Sequence, residues 1–421
     1  MKLSTLPLEK KDRYPLLILF ICLYSLGYFI NNNLYQLGFY QYVNIAFDLD
    51  QAWYIDALSR PSNTWLYNTA VAETPLWIKH PLLYCFRLPA ELLQLLGFKE
   101  DISAILVTLF FIATTPILFY TSLKLSQFSS LHSLILTIAF IFSSTFLVNM
   151  MVLDSYSIAQ FWILSALVLF LISVNTRSLN NTWLKAIVYV GLAGTTSYLV
   201  LFAILCEVCL LLHIKTGNSA KEIASYLLSL SLKFSSIFLL VFAAVYADTL
   251  ITIVTDPVGV LRKTLWAVAR PGEKEGLLKV LETFLGYSVY SPAATTVVLE
   301  DKVTMLDFRA LGSSMFDYFI LASLIGFYLL SLTRLASPVM RLALLWILIN
   351  TGFHLIYQDR SSLFIYTGHL LPICFLCLCF GITRLKNQVT LVGVSLTLLL
   401  IIGNVDIYTV VRQSLALNGQ F

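Results

Sequence analysis

Apolar runs of about twenty residues, parted by short polar stretches, recur from the first tens of residues to the C-terminal end. At 1.5 Å per residue such a run spans a hydrocarbon layer about 30 Å thick. Backbone polar groups in lipid must find partners within the chain, so the runs are expected to be helices. The period-two alternation of an outer-membrane barrel is missing from the sequence. The pattern predicts an all-α polytopic membrane protein with about eleven spans: 15–31, 102–122, 131–150, 156–174, 184–198, 199–214, 225–247, 316–333, 341–357, 363–382 and 388–410. The first run has a charged leader and no small-residue cleavage site, so it reads as a retained anchor. Residues 184–214 are too long for one upright helix and are interrupted by Gly191, Gly194, Thr195 and Thr196. Two short helices with a break near Thr196 are expected there, with one long tilted helix as the alternative.

Residues 80–97 carry a polar stripe, Arg87, Glu91 and Gln94, beside an apolar one, Leu83, Phe86, Ala90 and Leu93. A charged stripe favours lying in the membrane interface over crossing it, so a juxtamembrane helix is expected. The short stretches on the N-terminal side of the membrane then hold 13 of the 27 lysines and arginines: Lys2, Lys10, Lys11, Arg13, Lys124, Arg177, Lys185, Lys215, Lys221, Arg334, Arg341, Arg384 and Lys386. The short loops of the other side carry only Arg360 and Arg412. This asymmetry places the N-terminus in the cytoplasm, in what the size and short inner loops suggest is a bacterial inner membrane. Two long segments, 32–101 and 248–315, face the extracytoplasmic side of a single membrane domain.

Only 12% of the residues are charged, against roughly 25% in soluble proteins. The largest basic group, Lys10, Lys11 and Arg13, is a topology signal and gives no footing for nucleic acid. Of seven cysteines, Cys374, Cys377 and Cys379 look like a metal site at first sight, but they lie in an unbroken apolar run without histidine and read as packing residues.

Against this apolar background the polar residues of the outer side stand out. Asp48 and Asp50 follow the first span in Phe47-Asp48-Leu49-Asp50-Gln51-Ala52-Trp53-Tyr54. Two residues apart on an extended segment, they point the same way; they can take a proton from an attacking hydroxyl or share a divalent cation. Asp154, in a tight outer turn, reads equally as the N-cap of the next helix and as a third acid, or cation ligand, of that site. Lys79 and His80 open the interfacial helix, where a lysine holds a phosphate or merely snorkels to the headgroups. Arg360 sits between two outer helix ends and either grips a phosphate or pairs with Asp359. Tyr54, Tyr357 and His369 complete the set as substrate contacts, with a structural hydrogen bond as the other reading of His369. Glu207 lies inside a span with no partner evident from sequence.

These features together resemble the GT-C superfamily of integral-membrane glycosyltransferases, which includes the protein O-mannosyltransferases and the aminoarabinose transferases of lipid A. The likeness lies in Asp48 to Tyr54 after the first span, in Lys79-His80-Pro81 leading to Gly97, in Asp154, and in the run from Arg360 to Pro372. It covers the first 200 residues best, and it departs at Gln51, where many members carry an acid. The resemblance implies sugar transfer from a polyprenyl-phosphate donor to a lipid, glycan or protein acceptor. Asp50 would be base or metal ligand, and Lys79 and Arg360 would hold the donor phosphate. The competing expectations are a transporter or flippase, and a non-catalytic subunit on a transferase scaffold.

Overall fold

The computed structural model describes residues 9–42, 44–47, 49, 51–59, 87–214, 219–245, 254–259, 262, 275–291, 293–299, 303–308, 314–357 and 362–418. Asp48, Asp50, Lys79, His80 and Arg360 lie outside the described residues.

The chain is mostly helical. In order it forms α1 (Lys10–Gln36), α2 (Gln51–Ser59), α3 (Arg87–Leu95), α4 (Glu100–Leu125), α5 (Ser130–Ile141), α6 (Ser144–Met151), α7 (Ser155–Thr176), α8 (Thr182–Thr195), α9 (Val200–Ile214) and α10 (Ala220–Val245). There follow α11 (Leu277–Leu281), strands β1 (Thr295–Val298) and β2 (Thr304–Asp307), α12 (Met315–Ser331), α13 (Pro338–Ile356), α14 (Leu371–Ile382), α15 (Val389–Asn404) and α16 (Ile407–Asn418). Among the described residues eight helices are long and apolar enough to cross a membrane, or nine if the bent pair α5–α6 is one span. Two features separate this count from the expected eleven. Helix α8 has 14 residues, about 21 Å at 1.5 Å each, which is short for a crossing. Residues Leu371–Asn418 form one apolar helical stretch, although Lys386 breaks it at φ 48° and ψ −108°.

The expected break near Thr196 is present: Thr196 is extended, with φ −147° and ψ 120°, between α8 and a 3-10 turn leading to α9. Within the segment expected to form an interfacial helix, Arg87–Leu95 is helical as α3; Ala90 is buried where it packs on α2 and α4, and Leu92 and Leu95 are exposed. Gly97, at φ +94°, ends it in the left-handed conformation that glycine adopts without strain.

Helices α7 and α14 form the centre; every residue of α14 is buried. Its cysteines are free and packed in that core, as expected. Helices α1, α10 and α12 lie at the periphery, with apolar faces turned outward. Contacts sort into two ends. At one, Asn175 donates to the Leu125 carbonyl at 2.8 Å and Arg384 to that of Thr333 at 2.8 Å. At the other, here the loop end, Asn31 donates to the Met150 carbonyl at 2.8 Å, and Tyr408 to Asn33 at 3.0 Å.

The α5–α6 pair bends by 60° with neither proline nor glycine at the break. A break frees backbone amides, which must be satisfied if buried. Here the Ser144 amide donates to the Val289 carbonyl at 3.1 Å and that of Thr145 to Ser288 at 3.2 Å. Asn404 completes the joint: its amide donates to Phe142 at 2.7 Å and Val289 at 3.0 Å, while its oxygen accepts from the Ser291 amide at 2.8 Å. Part of the expected 248–315 loop is thus built into the helix bundle. A π-helical turn, Glu282–Tyr287, carries it there and buries Phe284 and Tyr287.

The same segment supplies an exception to the all-α expectation. β1 and β2 form an antiparallel hairpin in which Thr295 faces Asp307, and Leu306 makes a parallel bridge to Ala46 in the first loop.

Candidate functional site

The bridge to Ala46 is where the candidate site begins. The Phe47 amide donates to the Leu306 carbonyl at 2.9 Å, and the Leu306 amide to Ile45 at 3.1 Å. Around it the rings of Phe47, Phe308 and Phe364 meet, with centroids 4.7, 5.1 and 5.0 Å apart pairwise. Such clustering of aromatic rings adds about 0.5–1.5 kcal/mol per pair beyond burial. Phe47 is fully buried at φ +56°, a backbone conformation that costs a non-glycine residue roughly 1–2 kcal/mol. The Asn44 amide donates to the Leu49 carbonyl and the Leu49 amide to that of Ala46, both at 3.1 Å. Residues 44–47 and 49 are therefore tied closely together and held by buried aromatics. Strain of this kind persists only where packing over-determines it, and it gathers at working sites.

Asp307 ends β2 in the same hub. Its Oδ1 accepts from Ser362 Oγ at 2.7 Å and from the Phe308 amide at 2.9 Å. Through Ser362 the hub reaches the chain just before the 3-10 turn Phe364–His369. The sequence reading missed Asp307, although the β-branched run Thr-Thr-Val-Val opposite it is a strand signal.

Asp154 lies at the same end, only 4% exposed. It does cap α7: its carboxylate accepts from the Ser155 amide and from Ser155 Oγ, the latter at 2.9 Å. Tyr54 of α2 is within its electrostatic reach. Burial pushes the Tyr54 phenol well up; the hydrogen bond to Thr108 opposes this and the Asp154 carboxylate adds to it. Tyr54 is therefore neutral and is a donor. The single hydroxyl proton of Thr108 goes to the Ala104 carbonyl at 2.9 Å, so Thr108 accepts that of Tyr54 at 3.1 Å. Tyr54, expected to touch substrate, has no exposed surface and instead ties α2 to α4 beneath Asp154.

Several polar atoms in this region lack partners among the described residues. Gln51, which follows Asp50 and opens α2, is fully buried with both side-chain polar atoms unmatched. Asn149 Nδ2 is likewise unmatched, close to the backbone of Gly368. Buried polar groups are nearly always hydrogen-bonded, so these two require explanation.

His369 sits one layer deeper, 1% exposed, in a closed circuit. Asn350 donates to the Trp346 carbonyl at 2.8 Å, Tyr198 to Asn350 Oδ1 at 2.5 Å, and Trp346 Nε1 to the His369 carbonyl at 3.0 Å. Tyr198 has given its only proton to Asn350, so the His369 Nδ1–H donates to it across 3.0 Å. The hydrogen bond expected of a structural His369 is thus present at Nδ1. Beside it, the rings of His354 and Tyr366 lie 4.0 Å apart. Tyr357, half-buried, packs on Phe353 and accepts at its carbonyl from His354 Nδ1 at 3.3 Å.

Glu207 has partners that sequence did not reveal. Lys185 Nζ reaches its Oε1 at 2.9 Å, Tyr189 donates to the same oxygen, and Tyr226 donates to Oε2. Lys185, counted above among the inward-facing charges, is fully buried and also donates to Tyr226 at 2.7 Å. The pair belongs to the packing of α8, α9 and α10. Lys185 and Tyr189, four apart on one helical face, are the signal that was available.

Among the described residues no group of three His, Cys, Asp or Glu side chains is placed to hold a metal ion. Of the three expected ligands Asp48, Asp50 and Asp154, only the last falls within them, and it is occupied as a cap. Comparison with protein-family models, curated proteins and solved structures finds no match to this chain.

Proposed function

We propose that this protein is a GT-C-like glycosyltransferase, moving a sugar from a polyprenyl-phosphate donor to a lipid, glycan or protein acceptor at the loop end, on the extracytoplasmic face. The observation that carries the reading is the bridge of Ala46 to Leu306 with its Phe47–Phe308–Phe364 cluster. It draws together the chain on both sides of Asp48, the long second loop and the segment entered just after Arg360. Asp154 lies at the same end, beside the helix that follows Asp50.

In the proposed reaction the acceptor hydroxyl oxygen bonds to the anomeric carbon of the donor, and the bond from that carbon to the phosphate oxygen breaks. The hydroxyl proton passes to Asp50, with Asp48 or Asp154 beside it. Polyprenyl phosphate leaves, and Lys79 and Arg360 offset its growing charge. A divalent cation, if one takes part, would supply further charge at the phosphate.

The test is incubation of the protein in lipid nanodiscs with a panel of radiolabelled polyprenyl-phosphate sugars. Consumption of one donor, lost at least about 100-fold in Asp50→Asn without a change in unfolding temperature, is the expected result. No turnover of any donor, or full function in Asp50→Asn, Lys79→Ala and Arg360→Ala, overturns it; the latter is the outcome for a non-catalytic subunit. The buried pair Lys185–Glu207 is the one observation that favours a transporter, since ionisable residues in spans often mark pathways. Both Glu207 oxygens are taken by neighbours, as in a structural pair.

A further inference from the structure

A cavity of about 350 Å³ opens at the loop end between the last turn of α1, the first turn of α4 and the helix that follows Asp50. Its size is at the small end of ligand pockets, which run from roughly 300 to 1,000 Å³. Tyr35 and Gln36 from α1, Gln41 from the turn beyond Gly38, and Asp101 from α4 supply its polar wall. Ala52 and Ile55, one turn apart on α2, form its floor. Tyr40 lines it too, with its hydroxyl committed inward to Asn31.

The lining selects the ligand. Among the described residues it has two carboxamides, phenol rings and one carboxylate, with no lysine or arginine. Among the described lining residues a phosphate would meet the Asp101 carboxylate and no cation, so this lining suits a neutral ligand better than a phosphate. A neutral ring carrying several hydroxyls suits every group present. Hydroxyls can donate to Asp101 and exchange hydrogen bonds with Gln36 and Gln41, and an apolar ring face can rest on Tyr35. The first turn of α2 puts the floor two residues from Asp50.

We infer that this cavity holds a neutral sugar ring, the acceptor end of the transfer; its role as an acceptor site rests on the function proposed above. Lying where two apolar helices end, it can receive a glycan from the aqueous side or the head of a glycolipid from the membrane.

The experiment uses the full chain in phospholipid nanodiscs free of glycoside detergent. Saturation-transfer NMR is recorded with methyl hexosides and methyl pentosides as probes, and with the matching dodecyl glycosides. Signal for at least one methyl glycoside, abolished in Ala52→Trp and weakened about fivefold in Asp101→Ala, the size of one lost hydrogen bond, is expected. Stronger retention of the dodecyl form would assign the ligand to the membrane, and equal retention to the aqueous side; both support the cavity. Equal signals in wild type and both variants, or none in wild type, overturn it. Asp101 also bonds the Tyr35 hydroxyl, so Ala52→Trp and Asp101→Ala are read together and against their unfolding temperatures. Glycoside binding in a protein that transfers no sugar keeps the cavity and removes the transferase reading. Transfer with unchanged acceptor KM in both variants removes the cavity alone.

Discussion

Two of the polar clusters among the described residues, one around Glu207 and one at the loop end, are finished to different degrees. Around Glu207 each carboxylate oxygen has a donor, and Lys185 is matched by Glu207 and Tyr226. At the loop end, Gln51 and Asn149 keep unmatched polar atoms among the described residues, and Phe47 is held in a strained conformation. A closed cluster is what packing requires when charge is buried; an unclosed one has polar groups to offer. Under the function proposed above, the unmatched groups at the loop end are the ones a ligand there would meet, while the stronger charges sit in the closed cluster.

The comparison can be broken in order of expected effect. Lys185→Met leaves Glu207 buried without its counter-ion and should cost about 3–5 kcal/mol of stability. The double variant with Glu207→Gln should recover much of it in a thermal-unfolding cycle. A double variant no better than the single one would mean that the pair is not a closed unit. Next, Phe364→Ala removes the ring shared by both loops and should cost about 3 kcal/mol. Amide exchange at Phe47 and Leu306 should then rise together; a change at only one would show that the hub does not couple the loops.

Gln51→Leu gives the sharpest contrast. Replacing an unmatched buried amide with an apolar group should raise stability by about 1–2 kcal/mol, while sugar transfer falls. Unchanged activity in the stabilised variant would make Gln51 a packing fault and end the comparison. The smallest effect on stability is at Asp154. Asp154→Ala should lose about 1 kcal/mol as a missing cap, whereas Asp154→Asn, a cap of equal quality, should lose almost none. Activity separates the roles: a chemical carboxylate fails in both, a mere cap fails only in the alanine variant.

How legible all this was in the sequence depends on the range of the interaction. The spans follow from hydropathy, and the break at Thr196 from clustered glycines and threonines, both local signals. The bend after Phe142 is marked locally only by Ser143-Ser144-Thr145, while the groups that satisfy it, Asn404 and the carbonyls of residues 288 and 289, lie far along the chain. The partner of Glu207 was hidden for the same reason, as was Asp307, which matters only once β2 lies against the first loop. Asp154 was legible as a cap because capping is decided within two residues.

The bridge between Ala46 and Leu306 also sets an order of events. Ribosomes add roughly 5–20 residues per second, so the segment around Asp48 waits on the order of 10 s to a minute before its strand partner exists. The nascent first loop must be sheltered or tolerated unpaired throughout, and truncation anywhere before the hairpin leaves that segment without its partner strand.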